Sequence, residues 1–141
     1  MQTNSVEQAV FDGAMAVMLT VRRDASLKNP KALTFPQIRA LTCVARSPGC
    51  SLGHLAHGAG VRKSAACLLV DRLVASRYVA RSTDPSERRV TRLTLTPAGR
   101  RALEKARLEA RNSIKGRLKA MTPAQRRRLA DAMTLLVTSM T

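Results

Sequence analysis

The sequence predicts a mainly α fold with one small β-hairpin. Two observations predict it. Apolar residues recur at three- and four-residue spacing in six segments, the pattern that lines one face of a helix. Around residues 78–95 the period changes to alternation with β-branched residues, as in strands. A third observation, a large excess of Lys and Arg in the second half of the 141-residue chain, bears on the partner.

The first helix is expected over about Ser5 to Arg23, with Asn4 as its cap and Glu7 as the reciprocal partner. Val6, Val10, Ala14, Val17, Met18 and Val21 keep its register, and the polar stretch Asp24 to Leu33 reads as a connection. Thr34-Phe35-Pro36-Gln37 opens a second helix: Thr34 caps, Gln37 closes the box, and Pro36 falls where its missing N–H is not needed. Ile38, Leu41, Val44 and Ala45 form its apolar face, and Ser47-Pro48-Gly49 stops it. Ser51 caps a short third helix, with Gly58 and Gly60 as its end. A fourth helix follows from about Arg62 to Ser76, with Ala66, Leu69, Val70 and Leu73 turned to the core and Lys63, Ser64, Cys67 and Asp71 on the opposite face. The strands are Tyr78–Arg81 and Val90–Leu95, around a polar tip at 82–89. Thr96-Pro97 and Thr122-Pro123 then start two more helices. Two short helices joined by a glycine-containing turn, the second polar on its outer face, make a helix-turn-helix pattern. The basic hairpin after them is a wing.

The charge narrows the partner. Lys and Arg number 25 and Asp and Glu 9, a net +16 at pH 7. Residues 1–61 carry six basic and three acidic residues, and 62–141 carry nineteen and six. So strong a field repels itself unless a polyanion relieves it, and nucleic acid is the default partner. Aromatics are only 2%, so the core falls to Leu, Val, Ala and Met. No stretch approaches the apolar length a bilayer needs, and no charged-then-apolar leader with a cleavage site is present. Cys43, Cys50 and Cys67 cannot all pair within one chain, which suits a reducing cytosol. Cys50, His54 and His57 form a Cys-x3-His-x2-His cluster, but no fourth ligand is evident; the reading is no metal and no cofactor. No glycine-rich phosphate loop, Ser-His-acid set or apolar carboxylate pair points to an enzyme.

Residues 33–99 resemble the MarR family of winged helix-turn-helix regulators. The resemblance is carried by Leu33-Thr34-Phe35-Pro36-Gln37, Leu55-Ala56, Gly60-Val61-Arg62-Lys63-Ser64 and Leu69-Val70-Asp71-Arg72-Leu73. It continues in Tyr78-Val79-Ala80-Arg81, Asp84-Pro85-Ser86-Glu87-Arg88-Arg89 and Leu93-Thr94-Leu95-Thr96-Pro97-Ala98-Gly99. It implies a homodimer on double-stranded DNA, with 34–99 as the DNA-binding domain and 1–33 with 100–141 as a helical dimerisation region. The fourth helix would enter the major groove, with contacts from Arg62, Lys63, Ser64, Cys67 and Arg72. The wing would add Arg88 and Arg89, Arg89 toward a minor groove. The family pattern of Asp-x-Arg at the wing reads here as Glu87-Arg88-Arg89, so Glu87 is the carboxylate expected to pair with an arginine. Ala65 and Leu68 stand where hydrogen-bonding residues are usual, which throws more of the contact onto Arg62, Lys63 and Ser64. A small anionic or phenolic effector is expected near Met15 and Met18 of the first helix and Arg39 and Arg46 of the second.

The function so implied is a dimeric cytoplasmic regulator that represses by covering a pseudo-palindromic operator. Two other readings are open: a thiol-based redox sensor acting through Cys43, Cys50 or Cys67, and a nucleoid-type protein binding DNA by charge alone. Cys67 itself reads as a buried, inert thiol.

Overall fold

The computed structural model describes residues 5–141. The elements run α1 (Val6–Lys28), α2 (Phe35–Arg46), α3 (Leu52–Ala59), α4 (Lys63–Ala75), β1 (Val79–Thr83), β2 (Thr91–Leu95), α5 (Pro97–Leu118) and α6 (Pro123–Met140). This is the order expected, six helices with one antiparallel hairpin between the fourth and fifth. Among the described residues no helix is long and apolar enough to cross a membrane.

The caps form where the sequence puts them. Thr34 Oγ1 accepts from the Gln37 N–H at 3.4 Å, and Gln37 Oε1 accepts from the Thr34 N–H at 2.8 Å. Thr122 and Gln125 repeat the device at α6. Such a box satisfies two backbone donors the helix leaves unpaired. Ser51 Oγ accepts from the His54 N–H at 3.2 Å.

Three boundaries differ from expectation. The proposed Asn4 cap lies outside the described residues; Ser5 Oγ accepts from the Gln8 N–H at 3.2 Å. α1 runs on to Lys28, because 24–28 are polar but contain no helix breaker, and it stops only at Asn29-Pro30. Gly58 lies inside α3; Gly60 alone ends it, in the left-handed conformation at φ 67°.

The chain divides into two compact units, Arg22–Glu109 and, separately, the chain up to Val21 together with Ala110–Thr141. The winged unit is thus wider than 34–99. Arg22 Nη1 donates to Leu33 O at 3.2 Å, Arg107 Nη2 donates to Thr42 Oγ1 at 3.3 Å, and Leu103 is buried in its core. These contacts bind the end of α1 and the first half of α5 to the unit. At its centre Leu41, Val44, Leu55, Val70, Leu73 and Leu93 are fully buried. Each contributes about 1.5–3 kcal/mol from leaving water. In the other unit the balance is reversed. Neither α1 nor α6 has a buried residue, and Phe11, Leu19, Leu135 and Met140 are more than half exposed.

The hairpin pairs Val79 with Leu95 through to Thr83 with Thr91. It is tied to the α2–α3 loop: the Gly49 N–H donates to Leu93 O at 2.8 Å and the Leu93 N–H to Cys50 O at 2.9 Å. Arg77 turns the chain from α4 into β1 in the left-handed region, at φ 63°.

Candidate nucleic-acid interface

α4 begins without a side-chain cap, since Arg62 stands at the N-cap. The first-turn N–H groups of a helix carry partial positive charge, and here Arg62, Lys63 and Ser64 beside them are all exposed. One face of α4 is held down by Ala66, Val70 and Leu73. The other therefore faces outward with Lys63, Ser64, Cys67, Asp71 and Arg72, and with Ala65 and Leu68. Cys67 is exposed rather than buried. Helical spacing puts it one turn from Lys63 and off the stripe that packs on the core, which corrects the expectation of an inert buried thiol.

The wing tip is built by one carboxylate. Asp84 Oδ1 accepts from the Ser86 N–H at 2.9 Å, the Ser86 hydroxyl at 2.7 Å and the Glu87 N–H at 3.3 Å. Its Oδ2 accepts from Arg92 Nε at 3.0 Å and Nη2 at 2.8 Å. The Ser86 hydrogen bonds first, then Arg92, hold the Asp84 carboxyl well below the usual carboxylate range. Arg92 also donates to Gly49 O at 3.4 Å, so the tip is braced against the α2–α3 loop. Among the described residues, Asp84 and not Glu87 is the wing carboxylate paired with an arginine. Asp84 sits at the end of β1, across the hairpin from Arg92, whereas the segment at Glu87 has already turned away. Arg88 and Arg89 are left exposed at this braced tip.

Helix and wing meet around a cavity of about 490 Å³ lined by Lys63, Cys67 and Asp71 of α4, Arg81 and Arg89 of the hairpin, and the Ser51–Gly53 start of α3. It brings together three of the expected contact residues, Lys63, Cys67 and Arg89. Arg62, Ser64, Arg72 and Arg88 lie outside it, exposed on their own elements. Arg81 was not anticipated. It pairs with Asp71, fixing β1 against α4. Two opposite charges ten residues apart carry no periodic signal, so only the packing reveals the pair.

A second cavity, of about 410 Å³, is lined by Ile38, Arg39, Thr42, Cys43, Arg46 and Ser47 with His54 and Gly58 of α3. Arg39 and Arg46 both line it. Met15 and Met18 do not; its other wall is α3, because Arg39 and Arg46 lie on the side of α2 that meets α3. Among the described residues no three His, Cys, Asp or Glu side chains are grouped to hold a metal ion. In the Cys50, His54 and His57 cluster, Cys50 is buried and both histidines are exposed.

Residues 33–90 match the model of the MarR family. No curated protein matches the chain in sequence. Solved structures do match in fold. RV1404 from Mycobacterium tuberculosis is 25% identical with a TM-score of 0.82, over 99% of this chain and 94% of that one. BpsR of Bordetella bronchiseptica, whose DNA binding is regulated by 6-hydroxynicotinic acid, is 22% identical with a TM-score of 0.73, over 99% and 95%. The transcriptional repressor CouR, bound to a 23-mer DNA duplex, is 22% identical with a TM-score of 0.74, over 95% and 92%. Residues 33–90 thus carry the winged helix of the MarR family, and the chain shares the fold of these structures along nearly its whole length.

Proposed function

We propose that this chain is a sequence-specific, DNA-binding transcriptional repressor that acts in the cytosol as a homodimer. The observation that carries the reading is the junction of α4 and the wing, where Lys63, Cys67 and Arg89 border one cavity in a chain of net charge +16. α4 reads base edges in the major groove through Lys63, Ser64 and Cys67, with Arg62 and Arg72 on phosphates. Arg88 and Arg89 follow the backbone into the adjacent minor groove, whose narrow stretches attract arginine. CouR bound to its duplex supports the use of this fold on DNA.

The dimer is supported by the exposed apolar residues of α1 and α6, Phe11, Leu19, Leu135 and Met140 among them. A monomer would leave this surface in water; a two-fold assembly covers it with itself. Two recognition helices so related meet half-sites about one helical turn apart, roughly 34–36 Å. Selection of bound sequences from a random DNA pool tests the reading directly. The expected result is a pseudo-palindrome, bound by a dimer in sedimentation and retained against excess bulk DNA. Binding that bulk DNA erases would instead mark a nucleoid-type protein.

Control by a small anion is favoured by Arg39 and Arg46 on one cavity, and BpsR supplies a relative of this fold under such control. A ligand releases DNA only by preferring the form with misplaced recognition helices, since equal affinity for both shifts nothing. Thermal shift against aromatic carboxylates and phenols, then operator binding with each hit, checks this. A hit that stabilises the protein but leaves operator affinity unchanged refutes the switch.

A further inference from the structure

The α2–α3 cavity contains a nucleophile that anion binding does not use. Cys43 lies on α2 with its thiol in the cavity wall, and Sγ donates to His54 O at 4.0 Å. It is half-buried, packed against the core cluster that contains Cys50. Cys50 is buried, 8% exposed, and outside the cavity lining. Two successive backbone hydrogen bonds, from the Ser47 N–H to Cys43 O and from the Cys50 N–H to Ser47 O, both 3.0 Å, fold the segment between the two cysteines so that both reach one core cluster. All three cysteines are free. Gly58 makes room for Cys43: a Cβ there would lie 2.8 Å from Cys43 Sγ. Arg39, Arg46 and His54 share the cavity with Cys43. Arg46 has no ion-pair partner among the described residues.

We propose that Cys43 and Cys50 form a dithiol modification site that is oxidised by small anionic disulfides entering the Arg39–Arg46 cavity. Cys43 is the attacking thiol because it alone of the pair faces the cavity. Cys50 is the resolving thiol: it lies behind Cys43, outside the cavity lining, where burial first, and then its neighbour Cys43, push it up. The steps are ordinary thiol–disulfide exchange. Cys43 gives up its proton and its sulfur attacks one sulfur of the small disulfide. The Cys43–sulfur bond forms, the small S–S bond breaks, and the leaving thiolate takes up a proton. Cys50 then loses its proton and attacks Cys43 Sγ. The Cys43–Cys50 bond forms and the second small thiol leaves with that proton. Two protein thiols are oxidised, and one disulfide is reduced to two thiols. Cys50 pairs with Leu93 of β2, so the new bond ties α2 to the root of the wing.

The test uses the full-length Cys67→Ser protein, which removes the exposed thiol, with oxidised glutathione as the anionic disulfide and cystamine as the cationic one. Intact mass and peptide mapping read the outcome, so the result stands whether or not the DNA-binding reading does. Glutathione disulfide is expected to remove two hydrogens without leaving an adduct and to join the Cys43 and Cys50 peptides. Adding Cys50→Ser is expected to trap one glutathionyl group on Cys43. At low salt the anionic reagent reacts about tenfold faster than cystamine, as a focused positive field predicts, and Arg46→Glu, an exposed substitution, removes that preference. An unmodified Cys43 overturns the proposal, as does a stable adduct in place of the Cys43–Cys50 link when Cys50 is present. Equal rates for the two reagents overturn the role of the cavity. Mapping of the protein with both cysteines intact decides the linkage even if Cys50→Ser fails to fold.

Discussion

Gly99 holds α5 against the root of the wing, and alanine there should loosen both. A Cβ at Gly99 would lie 2.0 Å from Tyr78 O, 2.8 Å from Tyr78 C and 3.0 Å from Tyr78 Cα. All three are backbone atoms, so no side-chain rotation relieves the clash. A carbon–oxygen contact needs about 3.3 Å, which requires the helix and the strand root to part by about 1.3 Å. That displacement strains the Thr96 N–H to Tyr78 O bond of 3.0 Å and the Thr96 hydroxyl to Arg77 O bond of 2.6 Å. Overpacking of this kind costs about 1–3 kcal/mol, and a weakened hydrogen bond about 1 more. Alanine's better helix propensity returns about 1 kcal/mol. The net loss expected for Gly99→Ala is about 2 kcal/mol, a fall in Tm of about 4–8 °C for a chain of this size. Gly53→Ala is the control. The nearest atom to a Cβ there is Ser51 Oγ at 4.0 Å, so this change should stabilise by about 0.4–1 kcal/mol. Thermal unfolding followed by circular dichroism at one fixed protomer concentration separates the two signs. An unchanged or raised Tm for Gly99→Ala would refute the close approach of α5 to Tyr78.

Three further outcomes are expected. Arg89→Ala should weaken operator binding about tenfold, the loss of one charge-assisted hydrogen bond, and reduce the salt slope by about one; Arg127→Ala, on α6, should do neither, and equal losses would put the wing assignment aside. Leu55→Ala, at a fully buried position, should cost about 2–5 kcal/mol in urea unfolding; a loss below 1 kcal/mol would mean that the α2–α3–α4 core is not packed as described. Asp84→Asn should destabilise at neutral pH. The Asp84 carboxyl is held below its unfolded value of about 3.9, so its contribution is present above that pH and is lost as pH falls through the lower folded value. Melts of both proteins from neutral pH downward should show a constant gap that closes only below about pH 4.

What could be read from the residues alone was whatever is decided within one helical turn or one strand. The Thr34–Gln37 and Thr122–Gln125 boxes form between residues three apart, and Ala66, Val70 and Leu73 declare the buried face of α4 by spacing. The element order, the wing and the exposed row of Lys63, Ser64 and Arg72 follow from these signals. Packing decided the rest, because it joins atoms that the chain separates. Arg92 reaches Gly49 across 43 positions and Arg107 reaches Thr42 across 65. Gly58 reads as a helix end by composition, yet it stays inside α3, where Cys43 Sγ needs the space. Glu87 stands nearest the expected wing position, but the hairpin turn presents Asp84 to Arg92. Arg39 and Arg46 suggest an anion site by charge, while the wall they share with α3 and Cys43 exists only once the two helices are packed. Hydrogen bonding along a helix is local and therefore periodic in the sequence; contact between elements depends on where each buried face comes to rest, and the sequence has no period that records it.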